Sequence, residues 1–211
     1  MKVSEIATRV RYVLQDAGAD YWSNSEINDW IADARLDAYK LRPDIYEHTE
    51  VMSLVAGTRQ TLPGGSRWLF EVIRNDSSPT KRHVTLVSAR DLARVRPNWR
   101  SLPGANEIEH FLYDPRDPGH FEVYPPAGTG LKVLLSYAKL PVTSIRAGDN
   151  LQPEGEYATA FIEYVLYRAF SKEADTVPAF HARAMQHLQM FRQILGDSVQ
   201  ARLATGPDVT T

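Results

Sequence analysis

Apolar residues in this chain change their spacing twice. They recur every three or four residues up to Leu41, alternate between His48 and Pro141, and return to helical spacing only after Pro153. A helix brings every third or fourth side chain to one face and a strand every second, so these segments cannot share one secondary structure. The pattern predicts an α+β protein, a helical bundle of about four helices framing an antiparallel β-sandwich or barrel-like region. The expected organisation is an N-terminal helix pair over 1–46 and an antiparallel β-region over 47–142. A C-terminal helix pair over 143–196 packs on the first, and a flexible tail occupies 197–211.

In the first helix Val3, Ile6, Val10, Val13 and Leu14 form the stripe, with Gly18 closing the run. The second is better marked. Ser23 and Glu26 have capping-box spacing, Trp22 and Ile27 occupy staple positions, and Pro43 stops the helix. Ile27, Trp30, Ile31, Ala34, Ala38 and Leu41 make its buried stripe, so both tryptophans read as staple and core. Pro153 suits the start of a third helix, whose core stripe is Tyr157, Ala160, Phe161, Tyr164, Val165 and Ala169. Ile162, Leu166, Tyr167 and Phe170 make that helix apolar on its other faces too, which calls for a cover from the β-layer or, the favoured reading, a neighbouring subunit. A fourth helix from Pro178 buries Phe180, Ala184, Leu188, Phe191 and Leu195. It leaves Arg183, Gln186, His187 and Gln193 outside and ends at Gly196.

Seven strands are expected between the helix pairs: 50–55, 59–62, 69–74, 83–87, 108–113, 121–124 and 131–137. Ala56-Gly57 reads as a tight turn between the first two, and 90–94 as one short helical turn. From His110 to Pro126 a β-hairpin is written out in full. Phe111 and Tyr113 alternate on one strand, Phe121, Val123 and Tyr124 follow on the next, and Asp114-Pro115 through Gly119 supply the turn.

With 43% hydrophobic and 24% charged residues the chain falls among globular proteins, not disordered or fibrous ones. A formal net charge of -2 gives no global field for nucleic acid or anionic membrane, so any such contact must be local. The absence of cysteine removes disulfides, thiolate metal sites and cysteine nucleophiles. No apolar run approaches the ~20 residues of a membrane helix and no signal peptide opens the chain, so a soluble protein made in the cytoplasm is expected.

No residues read as catalytic, cofactor-binding or metal-binding. There is no nucleophile elbow, no glycine-rich phosphate loop and no zinc-protease pattern. His181 and His187 lie six apart and so on opposite helix faces. Asp114 and Asp117 each precede a proline, which favours a turn over acid/base work. One charged feature stands out: Lys81, Arg82, Arg90, Arg94, Arg96 and Arg100 are opposed only by Asp91 between residues 81 and 100. From Asp197 onward the apolar content falls to Val199, Leu203 and Val209, too little to offset ordering entropy.

The hairpin, read with its neighbours, resembles a known family. The accompanying features are Gly57-Thr58-Arg59-Gln60-Thr61-Leu62-Pro63, then Arg96-Pro97-Asn98-Trp99, Leu134-Leu135-Ser136-Tyr137 and Leu140-Pro141. In this order, between two helix pairs, they look like a head-to-tail adaptor, or connector, of short-tailed phages over about residues 1–195. The resemblance implies a structural virion protein, made in the host cytoplasm, that forms a twelve-fold ring under the portal. Such a ring joins portal to tail or nozzle proteins and continues the DNA channel, with no enzymatic activity, cofactor or membrane. It also implies that the tail docks on the portal, with Val199 and Leu203 as anchors; the other reading is a frayed terminus. The basic segment, Arg82, Arg90, Arg94, Arg96 and Arg100, then has three readings: a solvated face, an interface with an acidic subunit or portal, or non-specific contact with DNA. The alternative function class is a soluble enzyme or small-ligand module of unrecognised type.

Overall fold

The computed structural model describes residues 1–153, 157–175 and 177–196. In chain order the elements are α1 (Val3–Leu14), α2 (Asn24–Leu41), β1 (Glu47–Ser53), β2 (Gly57–Thr61), β3 (Leu69–Asn75) and β4 (Thr85–Leu86). There follow α3 (Ala89–Val95), β5 (His110–Leu112), β6 (His120–Ala127), β7 (Lys132–Ala138), α4 (Ala158–Lys172) and α5 (Pro178–Leu195). They form two compact units, Met1–Tyr46 with residues 141–196, and Glu47–Leu140.

In the helical unit α4 is central and packs on α1, α2 and α5. Trp22, Trp30, Phe161, Tyr164 and Phe191 are all buried here, each worth roughly 2 to 3 kcal/mol of transfer free energy. The α2 capping box forms as its spacing predicts: Glu26 N–H donates to Ser23 Oγ at 3.2 Å and Ser23 N–H to the Glu26 carboxylate at 3.0 Å. Along α4, Tyr164, Arg168 and Lys172 sit four residues apart and meet Asp37, Asp33 and Glu26 of α2 in a polar ladder at 2.9, 3.1 and 2.6 Å.

Three expectations for the helices are corrected. α1 ends at Leu14, before Gly18, with Gln15 in the left-handed region, and Val13 is exposed. The Asp16 carboxylate explains the early stop, because it gathers the N–H groups of Asp20, Tyr21 and Trp22. α4 is described from Ala158; residues 154–156, which separate it from Pro153, lie outside the described residues. Its second apolar face needs no neighbouring subunit at Leu166 and Phe170, which are buried in this unit, with Phe170 against Phe180 of α5 at 5.2 Å. His187, expected outside, stacks on Phe170 and lies 2.6 Å from the Glu163 carboxylate.

The β unit holds two sheets, ordered β1-β7-β3 and β2-β6-β5-β4, with no closed barrel. Their facing side chains, among them Leu69, Val72, Val133, Leu135, Phe111, Phe121 and Val123, make one sandwich core. The predicted hairpin pairs β5 with β6, Phe111 opposite Val123. Ala56-Gly57 is not a hairpin turn: β1 pairs with β7 and β2 with β6, so the chain crosses there from one sheet to the other. Gly57, at φ +112°, makes the bend, and buried Gln60 clamps it by accepting from Val55 N–H and donating to Val55 C=O, both at 2.8 Å. The ladder is not wholly antiparallel either, since β4 runs parallel to β5. Only two residues of β4 pair, and α3 follows at once as two full turns where one was expected.

Candidate functional site

The basic segment begins with Lys81 and Arg82 ahead of β4 and continues on α3, at Arg96 and in the turn at Trp99–Ser101. Leu92 and Trp99 point inward and pack on Leu112 and Tyr124 of the hairpin, which fixes the segment against the sheet and leaves its charges outside. Arg100 lies over the Trp99 ring at 4.3 Å and forms a two-pronged pair with Glu122 at 2.8 and 2.7 Å. That hydrogen bond raises the Arg100 guanidinium above its ordinary range against the opposing effect of burial. Arg82 lies 3.8 Å from Glu109, Lys81 reaches Asp76 at 3.1 Å, and Arg94 lies 3.6 Å from Asp91. Arg90 and Arg96 are exposed and make no ion pair among the described residues. Val95, between Arg94 and Arg96, is 79% exposed. The fold therefore supplies carboxylates from Glu109 and Glu122 that sequence proximity does not show, and leaves Arg90 and Arg96 without an ion pair among the described residues, with Arg94 between them held only by exposed Asp91.

A cleft of about 610 Å³ opens beside this lobe on the four-stranded sheet, lined among others by Arg59, Val87, Arg100, Leu112, Tyr113 and His120. Its ionisable groups hold one another: Asp117 accepts from Arg59 at 2.9 Å and pairs with His120 at 2.7 Å. His120 beside a carboxylate has the orientation of a general base, yet it makes no hydrogen bond to a hydroxyl among the described residues. Ser88, the serine in the lining, caps α3 by accepting from Asp91 N–H. Asp114 behaves as turn chemistry requires, taking Arg116 N–H at 3.0 Å. The hydrogen bonds from the Arg116 side chain, then from its backbone, hold the Asp114 carboxyl below the usual range. No group of three or more His, Asp or Glu side chains could hold a metal among the described residues.

Sequence reading missed a site in the loop between α1 and α2. Arg11 donates to Asp16, to the Trp22 carbonyl and to Asn24 at 2.8 to 2.9 Å, and both charged side chains are buried. Burial alone would raise the Asp16 carboxyl; N–H groups of Trp22, Asp20 and Tyr21, with Arg11, outweigh it and hold the group below its ordinary value. Tyr12, in the last turn of α1, and Tyr21, in the loop, are exposed to solvent on either side of this site. An arginine inside an apolar stripe was the one available signal. Val199 and Leu203 lie outside the described residues.

The family model described as SU10 adaptor protein matches residues 1–211, the entire chain. The chain belongs to the SU10 adaptor protein family. It is accordingly a phage structural protein, a head-to-tail adaptor of the virion, and its α+β subunit has the helical frame and hairpin that the resemblance implied. No curated protein matches the adaptor's sequence significantly. No described helix of the adaptor is long and apolar enough to cross a membrane.

Proposed function

We propose that this adaptor assembles into a twelve-fold ring between the portal vertex and the tail or nozzle proteins, keeping the DNA channel continuous. The observation that carries the reading is the family match over the whole chain. Ring formation needs contacts between two different patches of one chain, which close when the rotation per subunit allows. The work done is association free energy over repeated interfaces, with no bond made or broken, and the protein reaches the virion after synthesis in the host cytoplasm.

On this reading the lobe with Arg90, Arg94 and Arg96 meets acidic protein, another subunit or the portal, rather than DNA. Exposed Val95 supports that choice, because arginines around an apolar residue suit a protein interface while phosphate contacts leave the valine unused. Arg82 and Arg100 belong to the same surface, with part of their charge matched by Glu109 and Glu122. Residues 197–211 act as the portal-docking arm, anchored by Val199 and Leu203. Native mass measurement with and without portal tests the proposal. Twelve copies per portal ring are expected, and a chain that stays monomeric and ignores portal would overturn it. Deleting residues 198–211 should leave the fold intact and reduce attachment to portal-bearing heads.

A further inference from the structure

The two sheets of the β unit have four edges, and three are blunted. β3 carries bulges after Leu69 and Val72, and residues 82–84 run beside it, with Asn75 N–H donating to Arg82 C=O at 2.8 Å and Val84 N–H to Ile73 C=O. β2 is short and bulged after Gly57. β4 is two residues long. β1 alone is long and regular: seven residues, Glu47 to Ser53, in unbroken register with β7 and without proline, lysine or arginine. An open edge of that kind templates another strand unless something covers it.

The register says which atoms are offered. Leu54 N–H donates to Leu131 C=O at 2.9 Å, so Met52, Glu50 and His48, counted back by twos, exchange their hydrogen bonds with β7. The N–H and C=O groups of Ser53, Val51 and Thr49 then point away from β7, and none has a backbone partner among the described residues. Val51 and nearby Val55 are exposed. The edge carries no lysine or arginine: Glu47, on the exposed face, accepts from Ser136 and meets neither among the described residues, while Glu50, on the other face, accepts from Tyr137 and lies 3.4 Å from His48. Two-fold antiparallel pairing of two copies centred on Glu50 sets Glu50 opposite Glu50, which leaves the register centred on Val51 as the competing self-pairing.

We propose that β1 is the docking edge for an extended, basic segment of another protein, which adds as a strand to the three-stranded sheet. The segment carries lysine or arginine at alternate positions on the exposed face that holds Glu47, Thr49, Val51 and Ser53, and β-branched residues on the face shared with Glu50 and Met52. Naming that protein as a tail component rests on the adaptor reading; the edge itself does not.

The probe is a seven-residue peptide of alternating valine or threonine and lysine, with its glutamate counterpart as control, added to the full-length chain. Amide exchange at Thr49, Val51 and Ser53 should slow at least tenfold with the lysine peptide and not with the glutamate one. Val51→Pro removes an outward N–H while sparing the β7 ladder, and should abolish that protection. Unchanged exchange in the wild-type chain at saturating peptide overturns the proposal, whether or not the proline variant folds. Equal protection in a folded Val51→Pro does so too. Protection without peptide, rising with protein concentration as the mass doubles, assigns the edge to self-pairing instead. In assembled particles Val51→Pro should cut tail attachment at least tenfold; wild-type attachment sinks the partner assignment. Ring mass on the same samples separates the failures, since loss of the ring with peptide protection intact refutes only the twelve-fold reading.

Discussion

In the helical unit the buried polar side chains include charged ones. Arg11 and Asp16 neutralise each other, and Arg35 is buried among carbonyls, donating to Gln152 and Val142 at 3.2 and 3.0 Å. In the β unit the corresponding places are held by neutral amides. Gln60 clamps the crossing between sheets, while fully buried Asn75 takes Ile108 N–H and donates to Ile108 and Arg82 carbonyls. Both solutions satisfy the backbone where regular pairing stops. They differ in their response to protons, since ionised groups titrate and amides do not. The helical unit also holds Tyr46 and Tyr164, whose phenols burial pushes up, Tyr164 to about 12 with Asp37 adding to the effect.

Four measurements bear on that contrast, beginning with the largest expected loss. Trp30→Ala should cost about 3 to 5 kcal/mol in denaturant unfolding, because its ring is buried in the helical unit; a loss under about 1 kcal/mol would show the core to be loosely packed. Asn75→Ala should cost about 2 to 4 kcal/mol by orphaning Ile108 on both sides, equally at pH 5 and pH 9. A pH-dependent loss there would erase the distinction between the units.

The third measurement is titration. Tyr164 has a folded pKa above its unfolded value, so its contribution is full below about pH 10 and is lost as pH rises toward about 12. Tyr164→Phe should therefore flatten the alkaline limb, and an unchanged limb would remove Tyr164 as its cause. Asp16 has the opposite sign: its contribution is present above its ordinary pKa and falls away below about pH 4. The smallest stability effect belongs to the surface. Reversing Arg94 and Arg96 to glutamate should change unfolding by no more than about 0.5 kcal/mol while weakening ring or portal assembly. Intact assembly would reject the acidic-partner reading.

Elements whose signal is local were legible. The Ser23 and Glu26 cap, the hairpin from His110 and the Pro178 start follow from neighbours a few residues apart, and each appears where its residues place it. Errors arose where distant groups compete. Asp16 ends α1 early because it draws on N–H groups up to six residues ahead, and the Ala56-Gly57 bend changes sheets because β7 and β6 claim its two sides. For the candidate site, the run of cations from Lys81 to Arg100 was visible. Its partial neutralisation by Glu109 and Glu122 was not.

Period and punctuation in the sequence alone determined the α+β class, the helical and strand segments and the hairpin, since these depend on side-chain spacing and backbone preference within each segment. Only the tertiary structure decided strand order, the parallel β4–β5 pair, the cover over α4 and the open edge at β1. Those depend on which distant segments win the competition for each other's hydrogen bonds and apolar faces, and spacing along the chain carries no record of that outcome.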